Sequence, residues 1–342
     1  MTEASGIDIM EFMMDTGTQK QRKSTYIEPA ACFAPDLPIM VVGGINADIQ
    51  ARADGPLIMR DSNPGRVSSS LGGVGFNIAR NLSCLGADVR MMSALSSDRW
   101  AGLIKKEAAG YGIDLSPSLK VHGAATSTYV YICGPDGEMD LAVCDAEILK
   151  ALDEKALEAR MDIINASGAV VLDTNLEEKA IRFLSENCRV PLFADPVSVI
   201  KAARLKPVLS RIFAMKPNRL EAEVLSGIAI RDQSSAAEAA TALVEFGVEH
   251  VFLSLGNEGI CCAARGEETV FLKADPVDAA CVNGAGDAAT AAMVRSFFLP
   301  MASGERAGFV LSAGTLAVSQ KETVLRRTEA AKLLNKYQKE RS

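Results

Sequence analysis

The sequence predicts an α/β fold with a mainly parallel central sheet, helices on both of its faces and a small β-lid. Three observations lead there. Apolar runs of strand length recur along the chain, and helical stretches of about ten residues separate them. Two extended, helix-poor segments break that rhythm and read as a separate β-layer.

Residues 1–36 carry Met10, Phe12, Met13 and Met14, then Gln19-Lys20-Gln21-Arg22-Lys23, then Pro29 and Pro35. They read as a poorly ordered N-terminal arm, with a short docking helix as the alternative. The arm has acidic residues and no apolar stretch behind a basic one, which does not fit a secretory leader. The remainder, 37–342, reads as one domain. Ile39-Met40-Val41-Val42 before Gly43-Gly44 is a buried first strand and its exit turn. The same pattern predicts strands over 89–92, 169–172, 191–194, 212–215 and 250–253. Helices are expected over about 75–85, 98–110, 151–164, 177–187, 218–226, 234–246, 287–298, 304–319 and 328–339. Gly134-Pro135-Asp136-Gly137, flanked by Thr128–Cys133 and Glu138–Val143, is a hairpin signal. With the extended stretch around Pro56 and Pro64 it defines lid segments of about 49–70 and 122–146, or else a decorative edge.

Composition excludes several functions. The chain has 342 residues, 48% apolar and 23% charged, as an ordinary globular enzyme does. A net charge of −7, no basic stripe and one tryptophan, Trp100, argue against a nucleic-acid groove. No stretch suits a bilayer span. The eight cysteines (Cys32, Cys84, Cys133, Cys144, Cys188, Cys261, Cys262 and Cys281) lack metal-ligand spacing and sit in apolar runs. They fit reduced thiols in a cytoplasmic setting. His122 and His250 alone cannot furnish a His-based zinc site or a serine-type triad.

The strongest chemical signal is Asn283-Gly284-Ala285-Gly286-Asp287 ahead of a small-residue helix. Glycines let backbone N–H groups crowd an anion, and the helix start adds the positive end of its dipole. A carboxylate in that nest suits taking a proton from a hydroxyl while the nest holds a phosphoryl group. A tight turn before a helix is the plain alternative. Gly72-Gly73-Val74-Gly75-Phe76-Asn77 opens another helix. It fits close approach of a ligand, with Asn77 donating to and accepting from hydroxyls, or simply close packing. Asn46 and Asp48 follow the first strand, where they suit two vicinal sugar hydroxyls or an Asx turn. Asn218 and Glu221 form a capping-box start and, alternatively, could order the water shell of Mg²⁺. Ser254-Leu255-Gly256-Asn257-Glu258-Gly259 is a glycine turn suited to nucleotide phosphates or ribose.

Taken in this order, these residues resemble the ribokinase (PfkB) family of sugar and nucleoside kinases. Gly72-Gly73-x-Gly75-x-Asn77-x-Ala79 with Gly86 is similar to its N-terminal signature, and Gly284-Ala285-Gly286-Asp287 to the core of its C-terminal one. The likeness runs from about Pro38 to Thr323. Within the family it is nearest to the branch acting on pseudouridine, through Asp61–Gly65, Asp195–Ser198 and Lys216–Glu223 followed by Leu225-Ser226-Gly227. The resemblance implies a three-layer ribokinase-like fold, often dimeric through the lid. It implies ATP-dependent phosphorylation of a nucleoside 5′-hydroxyl, with Asp287 as general base and Gly284, Ala285 and Gly286 as anion hole. Asn46, Asp48, Gly73 and Asn77 would hold the ribose. Asn218, Ser254, Gly256, Gly259 and Asn283 would face ATP, and Glu221 would serve Mg²⁺. Cys281 and Asn283 stand where relatives usually have Asp or Asn and Thr. That stretch helps build a monovalent-cation loop, so dependence on K⁺ is not expected to carry over fully. Thr126, Ser127, Tyr129 and Asp145 are candidates for reading the base by position only.

Overall fold

The computed structural model describes residues 33–34, 36–137, 139–277, 283–320 and 322–339. The arm up to Cys32, together with Pro35, Glu138 and Cys281, lies outside the described residues. The chain runs through β1 (Ile39–Val42), β2 (Asn46–Ala53), β3 (Gly65–Gly72), α1 (Val74–Cys84), β4 (Val89–Met92), β5 (Ala94–Leu95) and α2 (Arg99–Tyr111). Next come β6 (Leu119–Lys120), β7 (Thr128–Cys133), β8 (Met139–Asp145), α3 (Glu154–Glu158), α4 (Met161–Asn165), β9 (Ala169–Asp173) and α5 (Glu178–Asn187). Then follow β10 (Leu192–Asp195), α6 (Val199–Ala202), β11 (Ala214–Met215), α7 (Arg219–Ser226), α8 (Gln233–Glu245) and β12 (His250–Ser254). The described chain closes with β13 (Ile260–Ala264), β14 (Val270–Leu272), α9 (Ala285–Ser296), α10 (Ser303–Val318) and α11 (Arg327–Lys339).

Eight strands form the central sheet in the order β14-β13-β12-β11-β10-β9-β1-β4. The strands from β12 to β4 are parallel, and β13 and β14 extend that edge antiparallel. Alternation along β1 sends Ile39 and Val41 to one face and Met40 and Val42 to the other. The first face packs against Phe76, Ile78 and Leu82 of α1, the alanines of α9 and Phe309 of α10. The second packs against Leu157, Ile181, Leu225, Ala236 and Leu243 of the intervening helices. Helices therefore cover both faces, and the three-layer α/β class holds.

The second sheet has the order β3-β2-β7-β8. Its first strand leaves β1 after only Gly43-Gly44-Ile45, so Asn46 and Asp48 lie on a lid strand and not in a loop. The β7–β8 turn is closed by Gly137 N–H donating to Gly134 O at 3.1 Å, with Gly137 at φ 89°.

Two local expectations need correction. The helix expected over 151–164 is two short helices, α3 and α4. Asp153 caps the first by accepting from Ala156 N–H at 2.8 Å, so that helix begins at Glu154. The strand over 212–215 shrinks to Ala214–Met215, because Ile212 ends a 3₁₀ turn. Phe33, within the segment read as an arm, lies 5.2 Å from the rings of Phe213 and Phe298 and 5.6 Å from Phe297.

Candidate active site

The carboxyl ends of parallel strands, where open α/β sheets bind ligands, here gather charged side chains. Asp173 and Asp195 end β9 and β10 side by side in register. Asp173 is fully buried; its Oδ2 accepts from Gly44 N–H at 2.9 Å and Gly75 N–H at 2.8 Å, and its Oδ1 from Asn175 N–H at 2.9 Å. Asp195 Oδ2 accepts from the Thr290 hydroxyl of α9 at 2.6 Å, and its Oδ1 from Val197 N–H at 2.9 Å. These bonds tie the start of α1 and the second turn of α9 to the sheet.

Asp287 stands in the first turn of α9, after Gly284 at φ 86°. A Cβ on Gly284 would sit 2.2 Å from Thr323 O, so both the backbone angle and the close approach demand glycine. The first-turn N–H groups of a helix have no intrahelical acceptor, so this end is electropositive. Lys216, buried after β11, brings its Nζ within 3.5 Å of where a Gly286 Cβ would be. A cation and open amides thus share one spot. Asn77 Nδ2 donates to Asp287 Oδ2 at 2.7 Å. Burial, reinforced by the Asp195 carboxylate, lifts Asp287 to about 7, against the opposing pulls of Asn77 and Lys216.

Asp48 lies on β2. Its Oδ1 is buried without a protein partner, and burial raises the group to about 6, while Arg80 pulls the other way. A Cβ on Gly72 would fall 1.9 Å from Asp48 Oδ2, so the facing strand must be bare there. Asn46 Oδ1 accepts from the Ser127 hydroxyl at 2.8 Å. Gly73, at φ 93°, caps α1 tightly against Gly44. Asn77 was expected to meet hydroxyls; both ends of its amide are instead engaged by protein, Nδ2 with Asp287 and Oδ1 with Arg80. Thr126 is likewise committed, its N–H and hydroxyl both donating to Asp98 at 2.8 Å. Tyr129 lies on β7 beside Tyr131, 5.5 Å between ring centroids, and Asp145 ends β8.

Across the sheet, Asn218 caps α7 in a reciprocal box: its Oδ1 accepts from Glu221 N–H and its N–H donates to Glu221 Oε2, both at 2.9 Å. Asn218 also bridges Ser254 at the end of β12. Gly256 and Gly259, at φ 62° and 119°, shape the exposed turn that follows. Arg219 and Glu258 pair across it. Asn283 is exposed just before α9. Glu221 is buried and its carboxyl is raised by burial, with Lys216 opposing and Asp195 reinforcing. No cluster of three His, Cys, Asp or Glu able to cage a metal occurs among the described residues. Oxygen donors without a closed cage fit Mg²⁺ carried in on phosphates, since that ion keeps waters and takes few carboxylates.

Lys216, Asp173, Asp195 and Arg80 are polar side chains of the site that motif reasoning gave no role. A signal existed for the two aspartates, acidic residues directly ending apolar strands. Arg80 gave none, because its burial depends on partners elsewhere in the chain.

Comparisons with known proteins agree with this architecture. Residues 37–329 match the pfkB family carbohydrate kinases, and the chain belongs to that family. It is therefore a kinase of the sugar and nucleoside class, transferring phosphoryl to an alcohol. Two relatives from Escherichia coli K12 are similar to about the same degree. One is the uncharacterized sugar kinase YeiI, 33% identical over 81% of this chain and 77% of that protein. The other is pseudouridine kinase, 32% identical over 82% of this chain and 90% of that protein. The structure of Arabidopsis thaliana ribokinase complexed with ribose and ATP superposes with a TM-score of 0.76, covering 87% of this chain and 98% of that one at 22% identity. No described helix is long and apolar enough to cross a membrane.

Proposed function

We propose that this kinase transfers the terminal phosphoryl group of ATP to the 5′-hydroxyl of pseudouridine. The observation that carries the reading is Asp287 in the first turn of α9, with open helix amides and Lys216 beside it. Likeness to pseudouridine kinase over 90% of that protein supports the substrate. Asp287 accepts the hydroxyl proton as the oxygen attacks phosphorus and the bond to the departing ADP breaks. The amides of Gly284, Ala285 and Gly286, with Lys216, hold the charge on the group in transfer. Asp48 Oδ1, the orphaned buried acceptor, takes a ribose hydroxyl, and Asn46 offers its Nδ2 alongside. Asn218, Ser254, Gly256, Gly259 and Asn283 line the nucleotide side. Glu221 holds part of the water shell of Mg²⁺, which supplies charge neutralisation when bound.

The apolar face of the lid supports a homodimer. Register places Val67, Ile49, Ala51, Val130, Ile132, Leu141 and Val143 on one side, and Val67, Leu141 and Val143 are exposed there. The free thiols among the described residues fit a cytoplasmic enzyme.

Steady-state assays with Mg²⁺-ATP over pseudouridine, uridine, adenosine, guanosine and free ribose test the substrate. Pseudouridine is expected to give the highest kcat/KM. The 33% identity to a sugar kinase favours a second reading, which a preference for free ribose would establish. Nucleoside binding without ADP release would make the chain a silent relative.

A further inference from the structure

We propose that Arg80, anchored by Glu107, is a positioning residue that fixes the Asn77 side-chain amide with its N–H toward the Asp287 carboxylate. This deepens the kinase reading above and rests on Asp287 being its base. Arg80 is 5% exposed, an unusual setting for a guanidinium. Its Nη1 pairs with Glu107 of α2, and its Nη2 donates to Leu71 O at 2.9 Å and to Asn77 Oδ1. The Cζ lies 4.7 Å from the Phe76 ring centroid and 6.0 Å from that of Tyr111. Charge, carbonyl and two rings therefore hold the group in one place.

Asn77 and Arg80 are three apart on α1 and so share a face. The two ends of an asparagine amide are nearly equal in shape, so its partners decide which way it points. Arginine only donates, and the amide oxygen must face it. The NH₂ group is left to Asp287, 2.7 Å away. Without Arg80 the amide can turn over and accept a proton from a neutral Asp287, which disfavours the basic form. The charged groups felt by Asp287 from the other elements are Asp195 of β10, Lys216 after β11 and Asp173 of β9. None of them bonds to Arg80. Asp48 does feel Arg80, so the test must separate the two routes.

The experiment compares pH profiles of kcat for wild type, Arg80→Met, Asn77→Ala and the double variant. Alongside it runs the ¹³C titration of the Asp287 carboxyl, identified by its loss in Asp287→Asn. Arg80→Met is expected to move both the acidic limb and that titration up by at least about 0.5 pH unit, a fraction of what one hydrogen bond to a charge supplies. With Asp287 near 7, this lowers kcat at pH 7 by roughly twofold. In the Asn77→Ala background the same substitution is expected to move neither, because the route through the amide is gone. An unmoved limb in Arg80→Met, or an equal shift in both backgrounds, overturns the assignment. Should Arg80→Met fail to fold, Arg80→Lys keeps the charge but loses the fork. It is then expected to shift the limb the same way by less, and no shift overturns the assignment. An Asp287 titration that moves with Arg80 in a protein that phosphorylates nothing sinks the kinase reading and leaves the positioning role standing.

Discussion

Asp173 Oδ2 accepts the amide hydrogen of Gly44 at 2.9 Å, joining residues 129 positions apart and pinning the exit of β1 to the end of β9. The same oxygen also takes Gly75 N–H, so one carboxylate sets how the lid strand and α1 leave the sheet. Asp173→Ala is expected to strand three N–H groups in or near the core, each costing about 1–3 kcal/mol. Urea unfolding should show a loss of at least about 3 kcal/mol. An unchanged midpoint would mean that water takes over the carboxylate's bonds.

Asp287→Asn is expected to lower kcat at least about 10²-fold, the scale of a positioned base. In the wild type, kcat should rise with pH through about 7, as the carboxyl ionises. Stability should move the opposite way. A native pKa raised from 3.8 to about 7 means the folded state binds the proton more tightly than the unfolded chain. Stability present below about pH 4 is therefore lost as pH climbs through about 7. The Asn variant escapes that loss, and at pH 8 it should melt at or above the wild type. Near-normal turnover in the variant would remove Asp287 from its role.

Much of this was legible in the sequence because apolar strand runs and amphipathic helices are local signals. The helices α1, α2, α5, α7 and α8 lie within about two residues of where periodicity puts them. The edge strands β13 and β14 were not legible: Ile260-Cys261-Cys262-Ala263-Ala264 has little β-branching, and it becomes a strand by pairing with β12. The site divides the same way. Asp287, Asp48 and Glu221 sit next to glycines, strand ends or caps that announce them. Lys216 and Arg80 look in sequence like any basic residue. Only the folded chain shows Lys216 reaching the start of α9 and Arg80 closed in by Leu71, Phe76 and Glu107.

Asp48 offers a buried acceptor that must be ionised to hold a hydroxyl well. Burial lifts it to about 6, so KM for the nucleoside should fall as pH rises through about 6. Asp48→Asn is expected to raise KM by roughly tenfold or more, the worth of a hydrogen bond to a charge, with a smaller effect on kcat. A KM that ignores both the pH and the substitution would place the ribose elsewhere.

The lid's exposed apolar face is the surface a second copy would cover in the proposed homodimer. Leu141 and Val143 lie on β8, opposite Ile132 and Val130 of β7, so the four side chains form one patch on the same side of the sheet. Replacing both Leu141 and Val143 with Glu puts two carboxylates into that patch, where burying an unpaired charge is costly. Light scattering on the eluting protein is expected to report two chains for the wild type and one for the double variant. Both positions are exposed in the single chain, so its melting temperature should shift by no more than a few degrees. A wild type that is already monomeric at micromolar concentration would leave the patch without a second copy to cover it.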